Sequence, residues 1–122
     1  MRIKIDPLDT LFSRFIRLRD EVCQYCGRGG RLETSHFHGR RKRSVRYDTD
    51  NACALCYSCH RFLGENPYAH TEFFRKRLGT EKFEALNIRA EMVFPKSDKE
   101  VIKASLKEKI KLLEGKDDLQ NV

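Results

Sequence analysis

The chain reads as a small α+β domain: two short strands and a following helix stapled by a four-cysteine zinc site, with helices before and after it. Three observations predict this. Cys23-x-x-Cys26 is answered about thirty residues later by Cys56-x-x-Cys59, the paired-knuckle spacing of a thiolate zinc site. Between the knuckles lie two short segments, Leu32 to Phe37 and Asn51 to Leu55, bounded by turn residues and too short for helices. On both sides of the knuckles, apolar residues recur at helical spacing. At 122 residues this is one domain from 1 to 95, followed by a helical extension from 96 to 122. Such a chain buries only a modest core, which a structural metal supplements.

The elements follow in order. Asp6-Pro7 is an N-cap with proline at the first helical position. Leu8, Leu11, Phe12, Phe15, Ile16 and Leu18 then recur with arginines between them, predicting a helix from Pro7 to Asp20. Cys23 to Gly30 is a knuckle and turn. Gly39 to Asp50 is a basic loop with a few extended residues expected near Val45 and Tyr47. Cys56 to Leu63 turns into a helix that Gly64 interrupts. Asn66-Pro67 starts a helix ending at Gly79, and Thr80 to Met92 is another. Phe73, Phe74, Leu78, Phe83, Leu86 and Ile88 supply its core. After Pro95, the capping box Ser97-x-x-Glu100 opens a last helix running to Glu114 and stopped by Gly115. Its apolar residues Val101, Leu106, Ile110, Leu112 and Leu113 suit packing on the domain, on a second copy or on another protein.

Charge narrows the partners. The net charge is +7, and it is concentrated: Arg28 to Arg46 holds seven Arg/Lys against the single acid Glu33. A single-signed run of this kind favours a polyanion. Arg40, Arg41, Lys42 and Arg43, with Arg46 beyond, form a phosphate-binding surface giving salt-dependent, sequence-independent affinity. Phe37 and Tyr47 are candidates for stacking on bases or for the core. No apolar run spans a membrane, and the start Met1-Arg2-Ile3-Lys4 is no hydrophobic export signal. The expected setting is a reducing cytoplasm, where five cysteines are metal ligands and not a disulfide framework.

Four thiolates fill the coordination of zinc, so Cys23, Cys26, Cys56 and Cys59 define a closed, structural site. Cys53-x-x-Cys56 has the same spacing. Cys56 and Cys59 are preferred because a chelating pair beside a turn should precede a helix, whereas Cys53 alternates with Leu55 as an inward strand residue. Cys56 to His60 also matches a haem-attachment pattern, which would leave Cys23 and Cys26 without a role.

Cys23-x-x-Cys26-Gly27, Ser35-His36, Asp50-Asn51 and Leu55-Cys56-x-x-Cys59-His60 together resemble the HNH nucleases, whose core is a ββα-metal motif, and more narrowly the zinc-stapled HNH proteins of phages and prophages. The resemblance is close from Val22 to Leu63. It implies a metal-dependent endonuclease acting on DNA in a bacterial host cytoplasm. His36 would be the general base, Asn51 the brace that holds the histidine geometry, and His60 a ligand of a catalytic Mg²⁺ or Mn²⁺. Phage recombination or packaging proteins are implied partners, and a homodimer is one way to cut both strands. Many relatives carry an acid or histidine just before the base; here that position is Ser35. Glu65 and His70 are alternative ligands, while strand alternation puts Glu33 and Ser35 on the opposite face from His36; His38 is the reserve base if His36 points away. The rival reading is a non-catalytic zinc-dependent DNA-binding or adaptor module, and a third is a protein-interaction domain.

Overall fold

Asp6 accepts the Leu8 N–H on its carboxylate at 2.9 Å, and Pro7 at the first position sacrifices no hydrogen bond. These start α1, Pro7–Asp20. One stripe of it, Leu8, Phe12, Phe15 and Ile16, is buried, each side chain contributing about 1.5–3 kcal/mol by leaving water. The structure, a computed structural model, describes residues 5–95 and 98–120. Beyond α1 come β1 (Glu33–His36), β2 (Ala52–Leu55), α2 (Tyr57–Glu65), α3 (Pro67–Leu78), α4 (Thr80–Glu91) and α5 (Lys99–Gln120).

β1 and β2 pair antiparallel, with Glu33 opposite Leu55, Thr34 opposite Ala54, Ser35 opposite Cys53 and His36 opposite Ala52. All four residues of β2 are buried because the hairpin is a middle layer. Ala52 and Ala54 pack against α1 and α5 with Phe12, Ile16, Leu106 and Ile110. Cys53 and Leu55 pack the other way, with Cys23, Leu63, Phe74 and Phe83. The period of two along a strand makes this division. The outer edge of β2 is satisfied without a third strand. Arg19 donates to the carbonyl oxygens of Thr49 and Ala52 at 2.8 Å each, Asp20 accepts the Ala54 N–H, and the Gln24 N–H reaches the Ala54 carbonyl. A buried edge left unpaired would cost a desolvation penalty at each group.

Several sequence expectations change. α2 runs through Gly64 to Glu65, and α5 runs through Gly115 to Gln120. A glycine inside a helix costs about 1 kcal/mol relative to alanine, too little to stop helices held by packing on their neighbours. Residues near Val45 are not extended: Arg43–Val45 is a 3₁₀ turn that buries Val45 against Leu86 and Ala90. Ile88 is exposed and not core. Ser97 of the expected capping box lies outside the described residues; the Glu100 N–H is capped by Asp98 at 2.9 Å. Of the three surfaces open to α5, the domain takes it. Leu106 and Ile110 are buried on α1, while Val101 and Leu112 stay exposed.

Candidate active site

The four knuckle cysteines converge: the sulfurs of Cys23, Cys26, Cys56 and Cys59 all lie within 4.8 Å of one another. Zinc at about 2.3 Å from each sulfur of a tetrahedron sets the sulfurs roughly 3.8 Å apart, and Cys26 and Cys56 stand at 3.8 Å. The donor set fits zinc, with no position left for a substrate. The first knuckle closes through the Gly27 N–H on the Cys23 carbonyl at 2.8 Å, with Gly27 at φ +80°, a conformation glycine adopts without strain. Burial opposes charge on Cys23, yet the N–H groups of Cys26, Cys56 and Tyr25 directed at its sulfur bring it down to about 6, primed as a thiolate. Cys53 stands apart from this cluster. Burial pushes its thiol up to about 12, the behaviour of an inert core residue.

Beyond the staple, Asn51 is fully buried and ties the basic loop to the end of the hairpin. Its amide donates to the His38 and Val45 carbonyls at 2.9 and 3.1 Å, and its carbonyl accepts the His38 N–H at 2.8 Å. With three bonds inside the protein, the side chain has little capacity left for a ligand. It fixes the backbone immediately after His36. Arg89 of α4 steadies the same loop through Asp48 at 2.7 Å and Asp50 at 3.4 Å.

His36, the last residue of β1, points toward α1, where its ring lies 5.6 Å from that of Phe12. Burial holds its pKa below the usual 6.5. The backbone of Arg46 opposes that shift, and the positive charge of Arg40 adds to it. Its Nε2 is buried with no hydrogen-bond partner in the protein. This is a neutral imidazole with an unused ring nitrogen.

His60, in the first turn of α2, faces the other side of the hairpin. Its Nδ1 lies 2.8 Å from Oε1 of Glu33. The alternation that separates Glu33 from His36 thus delivers Glu33 to His60. Carboxylate on Nδ1 leaves Nε2 free, the arrangement by which carboxylates orient metal-binding histidines. The other ligand candidates fare differently. Glu65 is exposed and paired with Arg61. His70 is packed among Phe37 and Phe74; burial lowers its pKa, with the charge of His60 adding to the effect. Ser35 is buried opposite Cys53. His38 is bound to Asn87 at 2.8 Å.

Among the loop cations, Arg46 forms a two-pronged ion pair with Asp9 of α1, and Arg40 approaches the same carboxylate at 3.7 Å. Lys42 meets Glu91 at 3.1 Å. Arg41 and Arg43 are exposed and make no ion pair among the described residues. Phe37 belongs to the core, against Phe74 and Phe83. Tyr47 sits edge-on to Phe12, and burial, with Asp9 beside it, pushes its phenol up to about 12. Asp9 had no sequence signal, since its partners lie more than thirty residues away. Glu33 had one in strand alternation.

The fold and site define a zinc-stapled ββα unit: an antiparallel hairpin, a helix opened by the second knuckle, and a histidine from each of strand and helix. Residues 23–65 match the family model described as HNH endonuclease. A search of curated proteins and of solved structures gives no match. No described helix is long and apolar enough to cross a membrane.

Proposed function

We propose that the protein is a metal-dependent endonuclease that hydrolyses phosphodiester bonds in DNA, in the cytoplasm of a bacterial host and encoded by a phage or prophage. The observation that carries this reading is His36: a buried imidazole held neutral, with Nε2 unpartnered at the end of a strand whose continuation is locked by Asn51. Nε2 accepts the proton of the attacking water. Phosphate competing with Asp9 for Arg40 and Arg46 would draw the backbone toward His36. His60, oriented by Glu33, holds the divalent cation. Because His36 and His60 stand on opposite faces of the hairpin, the scissile backbone would have to cross it to meet both; the cation, when bound, would neutralise the phosphate and stabilise the leaving 3′ oxygen. Products would carry 5′-phosphate and 3′-hydroxyl ends. Cutting both strands takes a homodimer or two successive nicks, and recombination or packaging proteins of the phage are the fitting partners.

A buried serine in place of an acid before His36 is the one observation that favours a non-catalytic DNA-binding module. Supercoiled-plasmid cleavage with Mg²⁺ or Mn²⁺ decides between them. The zinc-loaded wild type should nick or linearise the plasmid. His36→Ala should lower the rate at least about 100-fold with an unchanged melting temperature. Glu33→Gln should raise the half-maximal Mn²⁺ concentration about 10- to 100-fold. A wild type inert on plasmid and on branched DNA would establish the binding module.

A further inference from the structure

We propose that the groove beside His36 binds an unpaired nucleotide of a DNA strand leading away from the cut. It rests on the nuclease reading for the nature of its substrate and is tested by binding alone. The groove has a volume of about 770 Å³. One wall is the loop from Arg41 to Tyr47, and the other is the chain from Met92 to Pro95 joining α4 to α5, with Lys99 at one end. It adjoins the candidate active site through Arg46, which belongs to its wall and whose backbone meets His36.

Charge and shape both select the occupant. Among the lining residues five cations face two acids, Asp6 and Glu91. Each acid is matched within the groove, Asp6 by Lys99 at 3.4 Å and Glu91 by Lys42 at 3.1 Å. Arg41 and Arg43 are left for an anion. The opposite wall is apolar: Val93 is 97% exposed, and Phe94 shows nearly half its surface to water. Exposing an aromatic ring and a valine side by side costs apolar hydration that nothing in the fold requires. A cationic wall facing an aromatic one is the composition of a single-strand site, where arginines track the backbone and a ring stacks on any base. Size agrees. The volume is that of a small-ligand pocket and takes one or two nucleotides of a separated strand.

The test uses the zinc-loaded full chain carrying His36→Ala, with no added divalent metal, and fluorescence anisotropy. The probes are a short blunt duplex and the same duplex with a single-stranded tail. The tail should tighten binding at least about fivefold. Phe94→Ala should bring the tailed probe down to the blunt value, Phe94→Tyr should keep the advantage, and Arg43→Glu should weaken the tailed probe more than the blunt one. Equal affinity for the two probes overturns the proposal, as does a Phe94→Ala protein that keeps the tail advantage or loses affinity for both alike. Preference for the blunt duplex would assign the groove to a duplex arm, and no binding of either probe overturns it as well. Plasmid cleavage without tail preference would leave the nuclease reading standing and the groove proposal refuted. Tail preference without cleavage by the wild type would do the reverse.

Discussion

The two faces of the β1–β2 hairpin are built by different physics. The face toward α1 is a hydrocarbon core: Phe12, Ile16, Ala52, Ala54, Leu106 and Ile110 pack there, with the Ser13–Thr34 hydroxyl pair at 2.8 Å as a polar inclusion. The face toward α2 holds fewer aliphatic side chains and is organised around four sulfurs. The histidines divide accordingly. His36 lies on the hydrocarbon face, where burial keeps it neutral. His60 lies on the zinc face, where Glu33 meets it. A base needs low dielectric and a free ring nitrogen; a cation ligand needs a polar, oriented setting. Alternation within the four-residue strand β1 sends His36 to one face and Glu33, the partner of His60, to the other.

The comparison breaks most readily on the zinc face. Binding of structural zinc contributes about 10–16 kcal/mol in small domains, as much as or more than the 5–15 kcal/mol by which most domains are stable. Cys56→Ser should therefore abolish the cooperative thermal transition seen by circular dichroism. A variant that still melts cooperatively near the wild-type temperature would show that the aromatic cluster of Phe37, Phe74 and Phe83 holds this face unaided. On the hydrocarbon face, Phe12→Ala should cost about 3–5 kcal/mol in urea unfolding and leave zinc stoichiometry at one per chain. Loss of zinc in that variant would mean the faces are not independent.

The smallest effect sharpens the histidine assignment. Protonated His36 cannot accept a proton, and its pKa is lowered from 6.5 by burial first and by Arg40 in addition. Cleavage measured as kcat/KM should thus still exceed half its plateau at pH 6.5 and reach its midpoint only below that. A solvent-exposed base would already be at half rate near 6.5. A midpoint at or above 6.5 would remove His36 from the role.

Much of this was legible in the sequence. Asp6-Pro7 and the apolar spacing gave α1 its stated ends, and alternation separated Cys53 from the ligand cysteines and Glu33 from His36. What misled were single-residue signals. Gly64 and Gly115 read as breakers, yet local propensity of about 1 kcal/mol yields to packing. Arg46 read as a phosphate contact, and nothing in the sequence signalled that α1 lies across the loop and presents Asp9 to it as a competing partner.

By itself, the sequence determined what depends on short range: four thiolates at knuckle spacing, the period of each element, caps, and the local excess of positive charge. These are properties of neighbours along the chain, fixed by covalent geometry and residue type. Only the tertiary structure decided which acid meets which base: Glu33 with His60, Asp9 with Arg46, Asp20 with the edge of β2. It also decided that the chain between α4 and α5 faces the basic loop across a groove. Such pairings depend on how whole elements pack, and packing is selected by total buried area and satisfied edges, with no trace in any one residue's neighbours.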